Sequence, residues 1–145
     1  MQDQQPNTDS DTINPNQTSL TEAFTEFKNN LTNPQKQILE LLVKHAIYHK
    51  QGQHEAEVEV FEIAKTLNLH VEEASEFLEQ QIPSLIGHSL SYKATRKNPN
   101  TNKIIQYTSD IPIFVAIEST GDTLRAMFNR DLAPIIETEK AKISS

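Results

Sequence analysis

The sequence predicts an α+β protein. Apolar side chains recur at helical spacing up to about residue 87, and beyond it they alternate with polar ones as in strands. Clusters of Asn, Pro, Thr and Gly separate the alternating segments, as expected of turns. At 145 residues the chain has the length of one domain with tails. The sequence therefore predicts a helical first half joined to a β-rich second half.

The N-terminus should be a disordered tail over residues 1–18, because its only apolar residues are Met1 and Ile13. We expect the ordered domain at residues 19–138 and a C-terminal tail at 139–145. Ser19 and Glu22 match a capping box that opens a first helix. That helix carries an apolar stripe that is expected to pack onto the domain or onto a partner: Leu20, Phe24, Phe27 and Leu31.

Three further helices and a strand follow. Asn33 and Pro34 are typical of a helix start, with Asn as the cap, and this helix should end near Gln51-Gly52. Residues 55–60 alternate glutamate with Ala or Val, which indicates a half-buried strand. Two helices joined by a short turn come next, and the second should end at Ile82-Pro83 or one turn later at Gly87.

The second half contains four predicted strands and a closing helix. Arg96 to Lys103 is a loop of turn-forming residues, and Thr120 to Asp122 is a hairpin turn. Asp131 to Thr138 predicts a short helix. The strands are at residues 90–94, 104–107, 113–117 and 123–128. This order predicts a winged helix-turn-helix domain whose wing is the 96–103 loop, with the last hairpin and the closing helix as extensions.

The second helix of the turn motif is acidic. In a helix-turn-helix protein this helix normally enters the major groove, where DNA phosphates would repel glutamates. A net charge of −7 and a pI near 5.2 also argue against a purely electrostatic nucleic-acid binder. A solvated helix face and a surface for a basic partner are both compatible with these residues. The glutamates are Glu72, Glu73, Glu76 and Glu79.

Positive charge lies instead around the 96–103 loop. Basic side chains there can reach phosphate oxygens, which makes the loop the candidate DNA-contacting site. An alternative is that they are ordinary surface residues that keep an exposed hairpin soluble. The candidate residues are Lys93, Arg96, Lys97 and Lys103.

Residues Leu31 to Ile136 resemble the first winged-helix domain of iteron-binding plasmid replication initiator proteins. The resemblance implies two tandem winged-helix domains, of which the second reads the DNA repeats while the first dimerises and contacts the DNA backbone. It further implies that double-stranded origin DNA is bound with the help of that second domain. Because the chain ends where the second domain should begin, we expect either a fragment or a natural one-domain relative. The resembling segments are residues 33–39, 60–65, 73–79, 90–92 and 128–136.

The partner most expected is a second copy of the chain. Ile113, Val115 and Ile117, together with Ile111, should share one face of a strand that is also apolar on its other face, so the strand needs cover on both sides. Phe24 and Phe27 supply a second apolar surface. The alternative is that the strand is covered within its own domain.

We expect no catalytic residue, no metal, no cofactor and no small-molecule substrate. His45 and His49 lie four residues apart, but a zinc site normally needs a third protein ligand. Without cysteine, no disulfide or thiolate site can form. With neither a signal sequence nor an apolar run of about 20 residues, a cytoplasmic location is expected. Two functional alternatives stay open: a protein-interaction module without DNA binding, and a one-domain transcriptional regulator.

Overall fold

The computed structural model describes residues 15–144, so most of the predicted N-terminal tail (residues 1–14) lies outside it. Its elements in chain order are α1 (Pro15–Asn29), α2 (Asn33–Lys44), β1 (Ile47–Tyr48), β2 (His54–Glu59), α3 (Val60–Leu67), α4 (Val71–Ile86), β3 (Ser89–Lys97), β4 (Ile104–Pro112), β5 (Phe114–Ser119), β6 (Thr123–Phe128), a short 3-10 helix (Arg130–Leu132) and α5 (Ala133–Ser144). The predicted α+β class and winged-helix fold are confirmed.

The chain divides into two compact units. In the described residues the first unit holds α1 and the two-stranded hairpin β3–β4. The second unit holds the remaining elements around a four-stranded antiparallel sheet in the order β1-β2-β6-β5. Buried alternate residues of β2, Ala56 and Val58, lie opposite Ala126 and Leu124 of β6, so this face of the sheet forms part of the core.

The predicted assignment of the wing is wrong. In a winged helix the strand before the turn motif pairs with the last strand of the wing, and here β2 pairs with β6. The wing is therefore the β5–β6 hairpin, and the β3–β4 hairpin is the addition. The wing turn is tight, with Gly121 at φ 95°, a backbone conformation that glycine adopts without strain. The Val60 amide at the start of α3 donates to Asp122 O at 2.8 Å, which ties the turn to the helices.

Helix α2 ends earlier than predicted. It closes at Lys44, not near Gly52, because Ile47 and Tyr48 instead pair with β2 as strand β1. Gly52, at φ 92°, allows the chain to reverse between the two strands. The helix cap is also one residue earlier than predicted: Thr32 is the N-cap and forms a capping box with Gln35.

The turn motif matches the sequence prediction more closely. Asn68 adopts the left-handed conformation, at φ 59°, and ends α3. Helix α4 continues through Pro83 to Ile86 with Gly87 as its C-cap, so the later of the two predicted ends is correct. Helix α4 buries one stripe, Ala74, Leu78 and Leu85.

The two terminal helices are longer than predicted. Helix α1 starts at Pro15, so Ser19 lies one turn inside it and is not its cap. Helix α5 runs to Ser144 and includes most of the predicted C-terminal tail. Lys140 Nζ donates to Ala46 O at 2.5 Å, a tertiary contact far from Lys140 in sequence that holds the later part of α5.

Candidate nucleic-acid interface

The tip of the β3–β4 hairpin is a well-defined turn. Asn98 N donates to Lys103 O at 2.8 Å, and Asn102 N donates to Asn98 O at 2.8 Å. Residues 102 and 103 therefore both pair with Asn98, and Asn102 is left-handed at φ 63°. This is the arrangement of a β-bulge in which one left-handed residue follows a turn. The Asn98 side chain also accepts from Asn100 N at 2.8 Å. These contacts fix the positions from which the basic side chains project.

All four basic candidates lie on this hairpin and are exposed. Arg96 lies over the ring of Tyr107, with 5.7 Å between its guanidinium carbon and the ring centroid, a cation–π contact that orients the guanidinium. The only acidic residue of the hairpin, Asp110, is at its far end, where its carboxylate accepts from the Ser91 hydroxyl. The hairpin tip therefore presents positive charge without a neutralising carboxylate.

Helix α4 presents the opposite charge. Its glutamates are exposed, and Glu73 Oε1 accepts from His70 N at 2.9 Å, which caps the helix. Within the described part of the chain, no ion pair involves Glu72, Glu76 or Glu79. The helix in the groove-reading position of the turn motif is thus a negatively charged surface.

Two arginines outside the hairpin, Arg125 and Arg130, form contacts within the second unit. Arg125 forms ion pairs with Glu55 and, at 3.0 Å, with Glu118. The hydrogen bond and charge of Glu55, reinforced by Glu118, raise the pKa of Arg125 above its usual value. Arg130 donates to Gln51 O at 2.6 Å and fastens the β1–β2 turn. Both arginines therefore have structural roles in the second unit.

The histidines pair with glutamates in separate places. His45 lies 3.1 Å from Glu62, and His49 lies 3.1 Å from Glu55, so the two do not share a site despite their helical spacing. In the described residues, no group of three or more His, Asp or Glu side chains is placed to hold a metal ion. A third histidine, His54, is buried as the first residue of β2, although the sequence predicted only that it lies near the other two, among partly exposed histidines and just before the strand.

The five predicted partner residues differ in exposure. Phe24, Phe27, Ile113 and Ile117 are buried within the single chain. Val115 is 58% exposed. The predicted shared face of Ile113, Val115 and Ile117 is wrong, because β5 contains a bulge between Phe114 and Ala116 that breaks the alternation.

A shallow pocket of about 160 Å³ lies on the four-stranded sheet, between residues of β2, β5 and β6. Its size is below the roughly 300 Å³ at which small-molecule sites usually begin. Arg125, already paired with two carboxylates, lies in its wall. The lining residues are Glu55, Ala116, Glu118, Arg125, Ala126 and Met127.

Among residues 15–144, no helix combines the length and apolar character needed to cross a membrane. No protein-family model matches the chain, and no curated protein matches it. Among solved structures it is similar to the WH1 domain of MSBI1.176, a replication protein isolated from a multiple sclerosis patient. The two share 18% identity with a TM-score of 0.62 over 87% of this chain and 95% of that one. This chain is therefore a winged-helix domain with the fold of a replication-protein WH1 domain, as the resemblance in its sequence predicted.

Proposed function

We propose that this chain is a DNA-contacting module of the replication-initiator type, in which the β3–β4 hairpin, and not helix α4, contacts the DNA backbone. The observation that carries the proposal is that these two elements have opposite charges. Four exposed basic side chains surround the hairpin tip, whereas α4 exposes four glutamates. Phosphates attract the first element and repel the second.

Two further observations support this role. The tip is held by backbone hydrogen bonds, so the backbone that carries these cations does not have to be ordered on binding, which lowers the entropic cost. The fold is also similar to that of a domain from a replication protein. A replication role would place the hairpin on origin DNA beside a second, sequence-reading domain.

The test is a paired charge reversal. Lys93→Glu with Lys97→Glu should weaken binding to a 30-base-pair duplex by at least tenfold at low salt, measured by fluorescence anisotropy. Lys50→Glu with Lys65→Glu changes the net charge of the chain equally at two exposed lysines outside the hairpin. This matched variant should bind nearly as tightly as the wild type.

Salt dependence provides a second readout. Each phosphate contact contributes about 0.9 to the slope of log K against log salt, so four contacts predict a slope of about −3.6. The Lys93→Glu, Lys97→Glu variant should lose about half of that slope. Equal losses in the two paired variants would contradict the assignment of the contact to the hairpin.

We also propose that the chain self-associates along strand β5. This strand lies at the edge of the four-stranded sheet, with a sheet partner on one side, and its large exposed apolar side chain is Val115. Pairing of two β5 edges would add a partner strand on the other side and cover Val115 in the same contact.

A second candidate function is a protein-interaction module that binds a basic partner through α4. The unpaired glutamates of that helix favour it. Electrostatic DNA binding is strongest at low salt. No binding of the wild type to duplex DNA at 20 mM salt would therefore support this second function.

A further inference from the structure

The two faces of the β3–β4 hairpin differ in composition. Leu90 and Ala94 of β3 are buried at 3% and 2% exposure, so the face they share is packed. The opposite face, here called the outer face, is largely exposed. It consists of Ser91, Lys93, Thr95 and Lys97 of β3, with Ile104, Gln106, Thr108 and Asp110 of β4.

The register of the hairpin fixes which side chains lie side by side. The turn places Asn98 opposite Lys103, and the Ser91 hydroxyl contacts the Asp110 carboxylate. The stretch from Ser91 to Asn98 is as long as the stretch from Lys103 to Asp110, so both contacts fit the same register without a slip. Counting along them places Thr95 opposite Gln106 at the centre of the outer face.

On the outer face, a pair of uncharged hydrogen-bonding side chains lies between two cations. Lys93 and Lys97 point to the same side, about 13 Å apart along the strand at about 3.3 Å per residue. The major groove is about 12 Å wide between its backbones and admits a two-stranded ribbon. The spacing allows the two lysines to reach phosphates on both sides of the groove while Gln106 faces the base edges between them.

We infer that the hairpin enters the major groove of duplex DNA by its outer face, with Gln106 as a base-reading residue. The amide of glutamine matches the N7 acceptor and N6 donor of adenine. Gln106 is exposed, so its amide is accessible to a base. This inference rests on the proposed DNA contact and goes beyond it: a hairpin that lies on the backbone gives affinity alone, whereas a ribbon in the groove gives sequence preference.

The experiment is a selection from a randomised duplex pool by the wild type and by Gln106→Ala. The wild type should enrich a short motif that contains adenine, and Gln106→Ala should lose the preference for adenine at one position. Its affinity for an unrelated 30-base-pair duplex should stay within twofold. Gln80→Ala is the matched control, because Gln80 is an exposed glutamine on α4. It should select the wild-type motif.

A modified duplex gives an independent readout. Glucosylated 5-hydroxymethylcytosine fills the major groove and leaves the phosphates and the minor groove unchanged, so it should reduce wild-type binding at least tenfold. Duplex binding that depends on Lys93 and Lys97 but is indifferent to glucosylation would overturn the inference and leave the proposed function intact. Failure of the wild type to bind any duplex would overturn both. An unchanged motif for Gln106→Ala, or a motif altered only by Gln80→Ala, would also overturn the inference.

Discussion

His54 is a polar residue that lies in the buried core of the second unit. It is fully buried, and its Nε2 lies 2.5 Å from Glu137 Oε2, a contact that joins strand β2 to helix α5. Its other ring nitrogen, Nδ1, is buried without a hydrogen-bond partner in the described residues. The Tyr48 ring packs edge-on against the imidazole, with 5.1 Å between the centroids. Glu137 is thus the polar partner on which burial of this ring depends.

Replacing Glu137 by Ala should therefore destabilise the protein. The buried imidazole would lose its contact with Glu137, and both ring nitrogens would then be without a hydrogen bond, which costs about 1–3 kcal/mol. Urea denaturation should show a lower midpoint with an unchanged slope. Glu79→Ala makes the same replacement at an exposed helical site with no ion pair in the described residues, and it should change stability by less than about 0.5 kcal/mol. Equal effects of the two variants would show that the His54 contact contributes no stability.

At the scale of the element, the β3–β4 turn depends on one backbone conformation. Asn102 is left-handed at φ 63°, which Asn tolerates and Gly adopts freely. A β-branched residue there would strain the turn that positions Lys103.

Asn102→Val should loosen the hairpin tip. The left-handed conformation costs about 1–2 kcal/mol more for a residue with a branched Cβ, so the Asn98 amide should exchange its hydrogen about 5–30 times faster. Binding to duplex DNA should weaken as the turn opens. Asn102→Gly keeps the conformation and should bind like the wild type, which separates the effect of backbone strain from that of the lost side chain. Unchanged exchange in Asn102→Val would contradict the role of this conformation.

The elements also show why local patterns assign some positions and not others. The glutamate–valine alternation of β2 predicted its strand correctly, because a half-buried strand has period two. The alternation of Ile113, Val115 and Ile117 looked equally regular, yet a bulge rotates Val115 to the surface. A bulge arises from pairing with the neighbouring strand and leaves no mark in the period of a single strand.

Over the whole molecule, positive and negative charges lie on different elements, the β3–β4 hairpin and helix α4, which the net charge of −7 does not reveal. A field that acts over about 8–10 Å at physiological salt is set by the local cluster, and a chain with an acidic total can still present a basic hairpin. The basic candidates were identified from the sequence because charge clusters are local in the chain. Assigning these basic residues to one or the other face of the hairpin required the register of β3 against β4.

Self-association is a whole-molecule property with its own test. Val115→Lys should shift the chain toward the monomer in analytical ultracentrifugation, since a buried lysine at an edge-to-edge contact would be desolvated and unpaired. Phe61→Lys is the matched control, because Phe61 is another exposed apolar residue, 65% exposed on α3. It should sediment like the wild type. A shift in Phe61→Lys alone would place the contact on α3 instead of β5.

The sequence by itself determined the fold class, the turn motif with its acidic second helix, and the basic character of one hairpin. Helical and strand periods, turn residues and charge clusters are all properties of neighbouring residues. Only the tertiary structure decided which hairpin is the wing, that α2 gives way to strand β1, and that the β3–β4 turn sets Asn98 opposite Lys103, from which the place of Gln106 follows. Strand pairing joins residues distant in the chain, and its register is set by contacts that a local pattern does not contain.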